Sequence, residues 1–326
     1  MRLKLLVRTK LVVLALLGAA ILAGPPAAGA VVVGIGDQKG DFFADKRFGA
    51  LGIRHARLIV PWDAVKYQWQ IERVDRWLGA AQRARVVPLI VFGKSITEQY
   101  HTMLPTVEDF TEIFDAFHAR YPWVREYATW NEPNLCTQPT CLNPERVAEY
   151  YNVLVRRCPG CRVLGGSVLG VSGMGRWIKR FLAVADPDPR YWGLHNYLDV
   201  NSFNRQTTRS LLKVVKGEVW LTETAGLVGW DPGRPIAFRP SVSHAILATR
   251  WLFDWMLPVS PRIKRVYLYE WNAVPGSPWD SALISRTGRS RPTLSIVRRV
   301  IKKGIRRPGR GEKRARQRWV RSHLGK

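Results

Sequence analysis

Short β-branched runs alternate with amphipathic stretches along most of this chain. Val31–Ile35, Ala56–Val60, Val86–Phe92, Glu126–Trp130, Arg162–Gly166, Tyr191–His195, Val219–Thr222 and Arg265–Tyr269 each read as a strand. Between them, apolar residues recur at helical spacing over Val74–Ala84, Val107–Arg120, Pro144–Arg157 and Ser241–Trp255, and a last helix is expected over Pro292–Ile301. Regular β-then-α alternation predicts a parallel sheet with its helices outside. Eight units of about 30 residues favour an α/β chain closed as a (β/α)8 TIM barrel, a fold of about 250 residues. An open dinucleotide-binding sheet needs a glycine-rich phosphate turn. In "GIGDQK", from Gly34, Lys39 stands where the third glycine belongs, so that fingerprint fails.

The two ends of the chain break the pattern. Arg2, Lys4, Arg8 and Lys10 precede an apolar run from Leu11 to Leu22, and Ala28-Gly29-Ala30 supplies a small-x-small cleavage site. Residues 1–30 therefore read as a secretory signal peptide, with an uncleaved anchor as the alternative. The run is short of the roughly 20 residues that span a bilayer. At the other end, thirteen Lys or Arg stand against one acid, Glu312, from Arg298 to Lys326, within a chain of net charge +26. Residues 304–326, broken by Gly and Pro and without apolar period, read as a solvated, disordered tail. The expected organisation is a signal at 1–30, a catalytic barrel at 31–303 and this basic tail. The protein is expected to be secreted or held at the cell envelope. The tail suits an anionic cell-wall polymer or a membrane surface; nucleic acid is not expected, because export removes the chain from it.

Cys136, Cys141, Cys158 and Cys161 form two close-spaced pairs, the kind of spacing that also suggests zinc. The helix expected between them spans about 21 Å, too far for four ligands of one ion. Cys158-Pro159-Gly160-Cys161 mimics a redox motif, yet reactive thiols of that type sit at a helix N-terminus, whereas Cys158 closes a helix. In an exported chain, two local disulfides, Cys136–Cys141 and Cys158–Cys161, are the favoured reading. No metal is expected.

In a barrel, reactive groups collect at the C-terminal ends of the strands. "YATWNEPN" puts Glu132 just past strand four, and "VWLTETAG" puts Glu223 just past strand seven. Strands four and seven lie on different sides of an eight-membered ring, so their tips face across a cleft. Two carboxyls flanking a bond suit glycoside hydrolysis, which needs one protonated and one ionised. The arrangement resembles the clan A (β/α)8 glycoside hydrolases, which retain anomeric configuration, over roughly residues 31–303. The resemblance rests on a few short motifs. "WNEPN" matches the Asn-Glu-Pro of strand four, implying an acid/base role for Glu132 and a sugar 2-hydroxyl contact for Asn131. "TET" matches the strand-seven nucleophile, implying that role for Glu223. Arg57 fits the strand-two arginine that keeps the nucleophile ionised, and Tyr197 of "HNY" the tyrosine that hydrogen-bonds it. His195 fits a sugar-facing histidine and Trp271 the strand-eight indole beneath the sugar. Glu218 and Glu270 are the rival carboxylates on strands seven and eight.

Fourteen tryptophans are many for this length, and sugar faces stack on aromatic rings. Trp62, Trp230 and Trp279 fall in mouth-side loops and are candidate subsite platforms. The substrate implied is a poly- or oligosaccharide, with no cofactor and a monomeric enzyme. The competing function is a non-catalytic carbohydrate-binding barrel of the envelope. Serine hydrolase, zincin and NTPase chemistries lack their motifs.

Overall fold

Eight parallel strands pair in sequence order and close on themselves in the computed structural model, which describes residues 31–233, 236–305 and the isolated Gly311, Arg314 and Arg318. The strands are β1 (Val32–Gly36), β2 (His55–Pro61), β3 (Val87–Gly93), β4 (Glu126–Ala128), β5 (Arg162–Leu169), β6 (Tyr191–His195), β7 (Glu218–Thr224) and β8 (Ile263–Tyr269). Closure is made by β1 on β8, in register from Val32 opposite Arg265 to Gly36 opposite Tyr269. The fold is the (β/α)8 barrel that the alternation predicts.

The helices are α1 (Lys46–Leu51), α2 (Gln68–Arg83), α3 (Val107–Arg120), α4 (Pro144–Arg157), α5 (Met174–Leu182), α6 (Tyr197–Asn201), α7 (Gln206–Val214), α8 (Val242–Trp251) and α9 (Pro292–Lys303). α3 begins at a capping box in which the Thr106 side chain accepts from the Asp109 N–H while Asp109 reaches back to the Thr106 N–H. α4 and α9 carry proline in their first turn, where the missing N–H has no intrahelical partner to lose. The helix expected to run to Trp255 leaves α geometry after Trp251, and Leu252–Met256 continue as a π-helical turn. Cys136–Cys141 and Cys158–Cys161 are both disulfides, one before and one after α4.

Strand alternation sorts the core into two layers. Leu89, Val91, Ala128, Leu164, Trp220 and Tyr267 point inward and fill the barrel. Ala56, Leu58, Val60, Ile90 and Phe92 point outward against the helices. At the N-terminal floor, Glu126 is buried and takes Arg265 through both its oxygens, at 2.6 and 2.9 Å, with Arg162 adding a third contact at 2.8 Å. The Arg265 guanidinium also lies 3.8 Å from the Trp220 ring centroid. Charge paired at the floor serves the barrel's integrity rather than its chemistry, which gathers at the opposite end.

Residues 1–30 and nearly all of the basic tail lie outside the described residues. Among those described, no helix is long and apolar enough to cross a membrane.

Candidate active site

Arg57 on β2 organises the mouth. Its side chain is buried, and its guanidinium donates from Nη1 to Glu223 Oε2 at 2.7 Å and from Nη2 to Asn131 Oδ1 at 2.5 Å. Nη2 also lies 3.2 Å from His195 Nε2. A guanidinium can only donate, so His195 Nε2 accepts and the ring proton resides on Nδ1. Nδ1–H then donates to Glu132 Oε1 at 2.9 Å. Complete burial, opposed by Glu223 and reinforced by Arg57, pushes the imidazole pKa down to about 3, which keeps this relay neutral.

The two carboxyl groups occupy different surroundings. Glu223 accepts from Arg57 on one oxygen and from the Tyr197 hydroxyl on the other, at 3.0 Å. Burial, and then the adjacent Glu223, holds the Tyr197 phenol well above its ordinary pKa, so it remains a donor. Glu132 meets only the neutral imidazole. Burial raises its pKa, with Arg57 acting in the other direction. Both glutamates stay partly open, at 18% and 12% side-chain exposure, while His195 and Arg57 behind them are at 0% and 1%. His195 Nδ1 is the common neighbour, 3.7 Å from Glu223 Oε2.

Two local departures aim these side chains. Extended backbone is the expectation for the residue before Pro133, but Glu132 has φ +47°, in the left-handed region. Its N–H is held by the Ser167 carbonyl at 2.8 Å, and Asn131 bridges to β5 at Ser167, so the turn is imposed by the neighbouring strand. On β7, the pairings Gly193–Trp220 and His195–Glu223 enclose two steps of β6 but three of β7. This bulge re-aims Glu223 into the barrel beside the inward-facing Thr222, which regular alternation forbids.

Two expected aromatic contacts are corrected. Trp271 does not lie beneath the site: it is fully buried, its Nε1 donates to Asp45, and its ring packs edge-on against Phe48 at 5.5 Å. The cause is Asp37, whose carboxylate accepts the backbone N–H groups of both Trp271 and Asn272 and draws the chain outward past β8. Trp62 is 2% exposed and packed in the core under Lys66, so it offers no face to a sugar. Trp230 and Trp279 are half-buried, 5.3 Å apart, and Trp279 stands edge-on to Tyr197 at 4.9 Å. The aromatic that the sequence did not single out is Tyr269. It ends β8 opposite Gly36, where an added Cβ would sit 3.4 Å from the Tyr269 ring and 3.9 Å from Arg57 Nη1. Burial and then Glu223 push its phenol pKa up. A glycine directly across the β1–β8 seam was the available signal.

The rival carboxylates are otherwise engaged. Glu270 lies 3.2 Å from Lys39, and burial, offset by Lys39, raises its pKa to about 7. Glu218 accepts from the Trp220 indole near the floor. Among the described residues no group of three or more His, Cys, Asp or Glu is placed to hold a metal ion.

A family model described as the glycosyl hydrolase catalytic core matches residues 67–234, half of the chain. The chain belongs to this family. The match takes in Asn131, Glu132, His195, Tyr197 and Glu223 of this glycoside hydrolase. Its fold is shared with a fungal β-1,4-galactanase (TM-score 0.60, 13% identity, covering 83% of this chain and 99% of that one). It is shared also with an endo-β-1,4-glucanase from Xanthomonas axonopodis pv. citri (0.56, 14%, 84% and 99%). A third is an endo-β-1,3-glucanase from Amycolatopsis mediterranei in complex with laminaripentaose (0.54, 15%, 83% and 100%). At these identities the likeness is one of fold. A search of curated proteins returns no match.

Proposed function

We propose that this glycoside hydrolase cleaves O-glycosidic bonds of a poly- or oligosaccharide by double displacement, with retention. The observation that carries the reading is the sharing of one imidazole nitrogen by two carboxyl groups, at 2.9 and 3.7 Å. Groups that share one nitrogen can reach the same bond, as the two carboxyls of a retaining pair must, at a spacing of roughly 5 Å. Glu223 forms a bond to the anomeric carbon as the bond to the leaving oxygen breaks, and Glu132 gives that oxygen its proton. Glu132 then takes a proton from water, whose oxygen attacks the anomeric carbon and frees Glu223. Because His195 Nδ1–H occupies Oε1 of Glu132, the transferable proton belongs on Oε2. Tyr269, Trp230 and Trp279 supply aromatic faces beside the nucleophile.

We also place this reaction outside the cell, at an anionic wall, from the signal-like residues 1–30 and the basic residues 304–326. A 2-fluoro-glycoside that traps the intermediate, followed by peptide mapping, is expected to label Glu223, and label elsewhere overturns the assignment. Truncation after residue 303 is expected to lower retention on purified walls at low salt, and unchanged retention rejects the wall-binding role.

A further inference from the structure

Asn131, the neighbour of Glu132 in the chain, lines a cavity of about 380 Å³ that opens between the tips of β2 and β3 and the start of α2. Its size falls within the range of small-ligand pockets, about 300–1,000 Å³. Its polar lining is Gln38, Gln70, Arg73, Lys94, Asn131 and Gln138, and it includes no carboxylate. Asn131 joins it to the site, because the same side chain accepts from Arg57 next to Glu132. Lys94 is half-buried and spends one of its three donors on the Thr137 carbonyl, at 3.1 Å. Among the described residues neither Lys94 nor Arg73 forms an ion pair. Gln70 is 3% exposed, and its Oε1 is buried with no hydrogen-bond partner, although its Nε2 donates to Thr97. A buried acceptor left unpaired costs about 1–3 kcal/mol, and a sugar hydroxyl is a donor of the right kind to satisfy it.

Taking the hydrolase reading above as its basis, we propose that this cavity is a subsite for a sugar carrying an anionic substituent, a carboxylate or a sulfate ester, adjacent to the bond that is cleaved. Lys94 and Arg73 meet the negative charge, while Gln70 and the other amides take ring hydroxyls. Ile96, which is exposed at the rim of the cavity, gives the ring an apolar face. Arg73 is exposed and Lys94 half-buried, and with no carboxylate in the lining both remain available to an anionic substituent.

The test reads binding without cleavage, in full-length chain carrying Glu223→Gln. Three forms of one mixed-linkage β-glucan serve as probes: native, partly oxidised at C6 to uronate, and partly sulfated at C6. Binding is followed by tryptophan fluorescence at about 20 mM ionic strength, where surface charge is weakly screened. At least one charged form is expected to bind about tenfold more tightly than the native glucan, and which one does so identifies the substituent. In Lys94→Ala/Arg73→Ala the ratio is expected to fall below about threefold, and Lys94→Arg to restore it, with the thermal midpoint unchanged. Equal binding of the three glucans, no binding of any, or a preference that survives the double substitution overturns the proposal. Failure of the hydrolase reading shows elsewhere, as a fluorosugar label away from Glu223, and leaves this ratio to be read independently.

Discussion

Glu132 combines a left-handed backbone, a hydrogen bond to a neutral histidine and a burial-raised pKa. A non-glycine residue held in that region costs on the order of 1 kcal/mol or more, and here the Ser167 carbonyl and the following Pro133 hold it. The proposed mechanism needs Glu132 protonated in its first step, so kcat/KM is expected to fall as pH rises through its pKa. That limb should lie above the roughly 4.3 of an ordinary glutamate. In Glu132→Gln the alkaline limb should vanish, with a loss of about 10²–10⁴-fold on natural leaving groups and far less on activated aryl glycosides. A limb that persists in the variant assigns it to another group. Most of the residues that meet at this mouth are readable from sequence, because Arg57 within β2, His195 at the tip of β6 and Asn131 just past β4 take their direction from the strands, whereas Glu132 needs the turn imposed by Ser167. Trp271 and Tyr269 are not, since their exchange depends on Asp37, more than two hundred positions away, capturing two backbone N–H groups.

The strands and helices were more legible than their irregularities. Val107–Arg120 and Pro144–Arg157 have the limits that apolar spacing and, for the second, proline predict. The β7 bulge has no sequence signature, because a period of two puts Thr222 and Glu223 on opposite faces. It depends on how β6 and β7 pack, and there Gly193 leaves little room. A Cβ at this position would lie 2.7 Å from Ser167 Oγ, 2.8 Å from Thr222 Oγ1 and 2.9 Å from the Gly166 carbonyl oxygen. Gly193→Ala is therefore expected to lower unfolding stability by about 1–3 kcal/mol. It should also reduce kcat/KM, because His195 lies two residues further along the same strand. Chemical denaturation with parallel kinetics checks both, and an unaffected enzyme would mean that the β5–β7 seam yields.

Across the whole barrel, neutral histidines stand at both ends. Burial, with Arg265 and despite Glu126, lowers the pKa of His55 at the floor to about 4, and His195 at the mouth is lowered to about 3. An unfolded histidine binds its proton near pH 6.5. Below that value the unfolded chain takes up protons that the folded chain refuses. The stabilisation from these two residues is complete above about pH 6.5 and is lost progressively as pH falls towards 4 and 3, by about 2–3 kcal/mol for each histidine at pH 4.5. Urea midpoints at pH 7 and 4.5 measure it, and His55→Gln should weaken the dependence. The buried carboxyls with raised pKa, Glu270 foremost, gain stability over the same fall in pH, so the difference between wild type and His55→Gln decides, and an equal shift of both midpoints would contradict the burial argument.

The groove beneath the floor is lined by Val31–Val33 from the start of β1 and by Val300, Ile301, Gly304 and Ile305 from the end of α9. Chain enters and leaves the described barrel at this one pole, and the carboxyl pair sits at the other. Anything joined at residue 31 or 305 therefore attaches like a stem under a cup, and the point of attachment leaves the rim uncovered.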